Sequence, residues 1–146
     1  MNGPCLLDTS ALLAHYQTEP GHELVARLLD EPADHVFISA ITWLEFNVRL
    51  KELIPDLHDR QEVLAIYGQL LADALPVTRE VAEAAFDLRQ QMTRRLPNGD
   101  ALIAATARLK GATLVHRDPH LAAVPEKLVR QLILPAKVPP ARRRKS

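Results

Sequence analysis

The sequence predicts an α/β fold: a small, mostly parallel sheet of four or five strands flanked by helices. Short apolar or β-branched runs alternate with longer stretches whose apolar residues recur with helical period, the pattern of successive βαβ units. Several of the short runs end on a residue suited to open a helix, Asp8, Ser39 and Thr78 among them. The chain has 146 residues, 47% apolar and 25% charged, which favours one domain with a real core.

The elements follow in order. Leu6-Leu7 belongs to a first strand ended by Asp8; Thr9 and Ser10 turn the chain into a first helix. Thr18-Glu19-Pro20-Gly21 breaks it, and His22 to Asp30 resumes a helical pattern with Leu24, Val25, Leu28 and Leu29 on one face. Glu31-Pro32-Ala33-Asp34 ends that helix, and His35-Val36-Phe37-Ile38 reads as a second strand. Ser39 caps a helix from about Ala40 to Leu53, stopped by Pro55. Asp56 to Asp73 is a further helix with Val63, Ile66, Tyr67 and Leu70 as its stripe. Ala74-Leu75-Pro76-Val77 is a third strand, its proline suggesting an edge or a strand end. Thr78 caps a helix to about Arg94, and Leu96-Pro97-Asn98-Gly99 is a loop. Asp100 opens a helix through Lys110, closed by Gly111. Ala112 to His116 is a fourth strand, Arg117 to His120 a turn, and Lys127 to Leu134 a last, weak strand.

Nothing approaches the run of about 18 apolar residues that a membrane span needs. The amino terminus has no basic segment followed by a long apolar run, so a cytoplasmic protein is expected. The one cysteine, Cys5, lies inside the first apolar run and reads as a small buried hydrophobe. Formal net charge is zero, so no global field draws nucleic acid, and affinity for phosphate must come from local patches or a bound metal. The clearest patch is the carboxyl-terminal Arg142-Arg143-Arg144-Lys145, a solvated tail that counterion release could also make a weak RNA contact.

Four acids stand out by position. Asp8 and Asp118 each follow a strand, where ligands bind in open α/β sheets. Asp100 opens an alanine-rich helix whose small side chains permit close approach to its neighbours. Glu45 lies among Trp43, Leu44 and Phe46, one turn into another helix. Taken singly, each has an ordinary role: Asp8 and Asp100 as helix caps, Asp118 as an Asx turn, Glu45 as a surface partner of Arg49. Taken together, their order lets all four meet at one sheet edge. Crowded carboxylates repel and some would take up protons unless a cation joined them, and hard oxygen donors suit Mg²⁺ or Mn²⁺. Such an ion can hold a phosphodiester and activate a water.

The runs Leu7-Asp8-Thr9-Ser10-Ala11-Leu12, Ser39-Ala40-Ile41-Thr42 with Glu45, Asp100-Ala101-Leu102-Ile103-Ala104-Ala105-Thr106-Ala107 and Leu114-Val115-His116-Arg117-Asp118 resemble those of a PIN domain. They are most similar to VapC-type ribonuclease toxins, over nearly all of the chain short of the last dozen residues. The resemblance implies a PIN-like α/β/α sandwich over residues 1–134, followed by a Pro-rich basic tail over 135–146. It implies a Mg²⁺- or Mn²⁺-dependent endoribonuclease, the toxin of a type II toxin–antitoxin pair, dimeric and restrained by a small antitoxin. By matching position, Asp8, Glu45, Asp100 and Asp118 would be catalytic, with Asp8, Asp100 and Asp118 binding the metal directly or through water. Ser10 would be the hydroxyl that holds a carboxylate or a metal-bound water, and Thr9 keeps an ordinary turn role. Many relatives carry Ser or Thr where this chain has His116, which could orient Asp118 or add pH sensitivity but reads more simply as exposed or locally satisfied.

The residues admit other roles as well. His116, Asp118 and His120 alternate, as an N/O metal site in a continuing strand would, but Pro119 argues against such a strand. Trp43 and Phe46 read as core or interface rather than as base-stacking platforms, since aromatics total only 4%. Arg117 is the best basic candidate for a phosphate or an antitoxin carboxylate, with a local ion pair as its plainer role; Arg94 and Arg95 are more distant candidates. The rival functions are a non-catalytic regulatory binder, whose acids are only caps and pairs, and a metal-dependent phosphatase of small esters.

Overall fold

The computed structural model describes residues 3–30 and 35–137. Five strands form one sheet: β1 (Cys5–Leu7), β2 (Val36–Ser39), β3 (Asp73–Leu75), β4 (Thr113–His116) and β5 (Gln131–Ile133). Seven helices lie between them among the described residues: α1 (Thr9–Tyr16), α2 (His22–Leu29), α3 (Ala40–Leu53), α4 (Leu57–Leu70), α5 (Arg79–Gln90), α6 (Asn98–Lys110) and α7 (Pro119–Ala122).

All strand pairs are parallel, in the order β3-β2-β1-β4-β5. The chain steps outward from β1 to β2 and β3, then returns past β1 to β4 and β5. The reversal makes the gap between β1 and β4 a topological switch point, where ligands bind beyond the carboxyl ends of the strands. Register sets those ends level, because Leu7 lies opposite Ile38 on one side and Val115 on the other.

Both sheet faces are covered, which is why Cys5, Leu6 and Leu7 are all buried and the strand reads as a continuous apolar run. Alternation still divides them. Leu7, Val36, Ile38 and Val115 pack with Leu12, Val25, Phe46, Leu50 and Tyr67 of α1 to α4. Leu6 and Leu114 face the other way, onto α5, α6 and α7 through Leu88, Ile103, Ala104 and Leu121. The result is an α/β/α sandwich with a core on either side of the sheet. Trp43 and Phe46 belong to the first core, as expected. Cys5 is fully buried.

Several boundaries differ from expectation for local reasons. Ile66 is exposed, leaving the buried position of α4 to Tyr67. Strand β3 starts at Asp73 and stops before Pro76, whose missing N–H cannot extend the ladder; it is an edge strand. Helix α5 ends at Gln90 rather than near Arg94, and the loop that follows seats Leu96 in the second core. Asn98 and Gly99, expected in the loop, form the first turn of α6, so Asp100 lies inside that turn instead of opening it. Gly111, in the left-handed region at φ 68°, closes α6 as expected. The Arg117–His120 turn becomes the start of α7, with Asp118 as its cap and Pro119 at its first position. The last strand is shorter than 127–134.

Two expectations fall outside the described residues: the helix stop at Glu31-Pro32-Ala33-Asp34, and the basic tail from residue 138 onward. Among the described residues no helix is long and apolar enough to cross a membrane.

Candidate active site

Asp8 follows β1 directly and caps α1. Its Oδ1 accepts hydrogen bonds from the Ala11 N–H at 2.9 Å and from Ser10 Oγ at 2.6 Å. The capping role and the strand-end position are therefore both real. Ser10 Oγ in turn accepts from the Arg117 N–H at 3.0 Å, tying the end of β1 to the turn after β4. Asp8 is only 3% exposed. Burial raises its pKa to about 7 against the two hydrogen bonds that lower it, and the charges of Asp118 and Asp100 push the same way as burial.

Asp118 caps α7, its Oδ1 accepting from the N–H groups of His120 at 2.7 Å and Leu121 at 3.4 Å. Asp100 projects from the first turn of α6. Burial raises its pKa to about 6, helped by the charges of Asp118 and Glu45 and opposed by His120. Asp8 thus feels Asp118 and Asp100, and Asp100 feels Asp118 and Glu45, so the structure brings the four acids to one edge.

Glu45 is exposed and does not pair with Arg49, which instead donates to Glu52 at 2.6 Å. Its Oε1 accepts a short hydrogen bond from Thr9 Oγ1, and Thr9 Oγ1 also lies 3.3 Å from Thr42 Oγ1. The first turn of α6 backs onto it: a Cβ at Gly99 would lie 3.9 Å from Glu45 Oε2. Thr9 is a residue that sequence reasoning undervalued. Its position at the start of α1, one residue after Asp8, was the available signal.

A divalent cation needs closely spaced donors. Asp100, Asp118 and His120 each offer one ligand atom, all within 4.8 Å of one another. Asp8, expected as a metal carboxylate, stands outside that group of three, buried beside it. The two carboxylates fit Mg²⁺ or Mn²⁺, and the imidazole adds a softer nitrogen donor beside them. The alternating trio of His116, Asp118 and His120 does not form, because the strand stops at His116. The turn into α7, not a continuing strand, brings His120 to the acids.

His116 is fully buried. Its Nδ1 accepts from the Asp118 N–H at 3.0 Å and its Nε2 lies 2.7 Å from Gln131 Oε1. These partners require the tautomer with the proton on Nε2, and burial lowers its pKa, which favours the neutral ring. His116 is locally satisfied, and it also fixes the backbone that carries Asp118.

Arg117 takes its plainer role. Its side chain is 7% exposed, forms a short ion pair with Glu19 and donates to the Pro20 carbonyl at 3.0 Å. Beside it an open groove of about 270 Å³ runs from Ser10 and Asp118 past Arg49 and Lys137. Arg94 and Arg95 are exposed in the loop before α6.

A family model described as PIN domain matches residues 5–127. Similar solved structures include a toxin–antitoxin complex from Klebsiella pneumoniae, 28% identical with a TM-score of 0.65, the match covering 83% of this chain and 92% of that one. FitAcB from Neisseria gonorrhoeae is 26% identical with a TM-score of 0.66, covering 82% and 92%. VapC20 of Mycobacterium tuberculosis, titled a sarcin–ricin loop cleaving toxin, shares the fold at 22% identity and a TM-score of 0.61, covering 82% and 93%. No curated protein sequence gives a match.

Proposed function

This chain belongs to the PIN domain family, and on that premise we propose that it is a metal-dependent endoribonuclease, the toxin of a type II toxin–antitoxin pair. One observation carries the reading: acids from four separate places in the chain, Asp8, Glu45, Asp100 and Asp118, couple electrostatically at the switch point between β1 and β4. Caps and surface pairs alone give no reason for four acids to share one edge at a cost in repulsion. Similarity to a chain from a toxin–antitoxin complex supports the toxin role, and with it we propose an antitoxin partner, an RNA substrate, a homodimer and a cytoplasmic location.

When bound, Mg²⁺ or Mn²⁺ supplies neutralisation of the phosphodiester charge and a lowered pKa for the attacking water. Asp100 and Asp118 would hold the cation. Asp8 acts from behind them, directly or through water, with Ser10 fixing its Oδ1. Glu45, exposed and steadied by Thr9, completes the shell or takes the proton of the attacking water. In-line attack of that water on phosphorus would break the P–O3′ bond, leaving a 5′-phosphate and, once the departing oxygen takes a proton from solvent, a 3′-hydroxyl.

The test is RNA cleavage in Mg²⁺ or Mn²⁺, with and without EDTA, by the wild type and Asp8→Asn. Cleavage is expected only in the metal-loaded wild type, with at least a hundredfold loss in the variant, of the order of one lost electrostatic stabiliser. Equal activity in every arm would sink the proposal.

A further inference from the structure

We infer that His120 is itself a protein ligand of the catalytic cation, and that its nitrogen makes this site prefer Mn²⁺ to Mg²⁺. The inference rests on the metal-dependent reading above and deepens it, because it adds a nitrogen donor to an otherwise all-oxygen set.

Geometry is the main support. His120 is the second residue of α7, and its own N–H is held by Asp118 Oδ1 at 2.7 Å. That cap fixes the His120 backbone beside the acids. Its Nδ1 lies 3.4 Å from Asp118 Oδ1 and 3.7 Å from Asp100 Oδ2. Around a small divalent ion with bonds near 2.1 Å, donors lie about 3 Å apart when adjacent and about 4 Å apart when opposite. Both distances from Nδ1 fall in that range, and the three groups each have a ligand atom within 4.8 Å of the others. The side chain is 57% exposed, so burial in the core does not account for its position.

Donor chemistry supplies the selectivity. Mg²⁺ takes oxygen ligands and keeps its waters, whereas imidazole nitrogen suits transition metals. A site with one imidazole and two carboxylates discriminates towards Mn²⁺. The competing role for His120 is a simple ion pair, in which the protonated ring occupies the place of the cation. The two roles predict opposite signs. Removing a ligand weakens metal binding, while removing a resident positive charge strengthens it.

The experiment titrates the full chain with MnCl₂, following the free ion by electron paramagnetic resonance, with MgCl₂ added as competitor. Pulsed resonance on the bound Mn²⁺ reports any directly coordinated ¹⁴N. Wild type is expected to show the ¹⁴N modulation and to hold Mn²⁺ more tightly than Mg²⁺. His120→Ala should lose the modulation and weaken Mn²⁺ roughly tenfold or more, with little change for Mg²⁺. His120→Asp should recover Mn²⁺ binding without the modulation and narrow the gap to Mg²⁺. Unchanged or tighter Mn²⁺ binding by a folded His120→Ala, checked by circular dichroism, overturns the inference alone. A wild type that binds neither ion overturns the metal-dependent reading and this inference with it.

Discussion

At the end of β4 the His116 ring accepts the Asp118 N–H and reaches Gln131 with its other nitrogen. Gln131 continues the chain of bonds by donating to the Val124 carbonyl at 2.7 Å. In His116→Ala both the Asp118 N–H and the Gln131 amide lose a partner at a fully buried position. Such losses cost roughly 1–3 kcal/mol, and urea melts should show a drop of that size. RNA cleavage should fall further than stability does, because the Asp118 backbone loses its tether. His116→Asn, which can still accept the Asp118 N–H, should recover part of the cleavage. Serine or threonine at this position is a polar cue that sequence reading can recognise, but a buried histidine doing comparable work was hidden behind the general habits of strand-end histidines.

Among the elements, α6 decides how closely the acids approach. Its Ala101, Ala104, Ala105 and Ala107 are buried, and α6 packs on α5, α3, α7 and β4. Small side chains let that helix sit close enough for Asp100 to couple with Asp118 and Glu45. Ala104→Leu should destabilise by about 1–3 kcal/mol through overpacking and should reduce cleavage by displacing Asp100. Ala104→Gly should cost about 1 kcal/mol in helix propensity while leaving cleavage of the folded fraction nearly intact. Thermal melts alongside single-turnover cleavage separate the two outcomes. Helix α7 was not foreseen. Pro119 ends the strand, as the sequence predicts, yet a proline is equally at home in the first turn of a helix, and the short helix it starts is what returns His120 to the acids.

For the whole molecule, the acid cluster ties stability to pH. Asp8 has an ordinary pKa of 3.8 and is raised to about 7 in the fold; Asp100 is raised from 3.8 to about 6. A raised carboxyl stabilises the fold fully below its unfolded pKa and loses that contribution as pH rises through its folded pKa. Metal-free protein should therefore lose Tm as pH rises from 5 to 8. His116, with its lowered pKa, works in the opposite direction at the acid end. The difference between wild type and Asp8→Asn isolates Asp8: the variant, whose asparagine can still cap α1, should melt roughly 5 °C above metal-free wild type at pH 8 and close to it at pH 5. Saturating Mn²⁺ should raise the wild type above the variant, since it binds the folded state alone. At this scale the sequence by itself determined the alternation of strands with the longer helices and the placing of Asp8 and Asp118 after strands. Those features follow from apolar periods of 2 and 3.6 and from local cap and turn chemistry. Only the tertiary structure decided that Thr9 rather than Arg49 holds Glu45, that Arg117 turns to Glu19, and that His120 faces Asp100 while His116 is buried. These contacts join residues from different elements, in the first two cases far apart in the chain. They are set by how α1, α3, α6 and α7 pack around the end of the sheet, which no local period encodes.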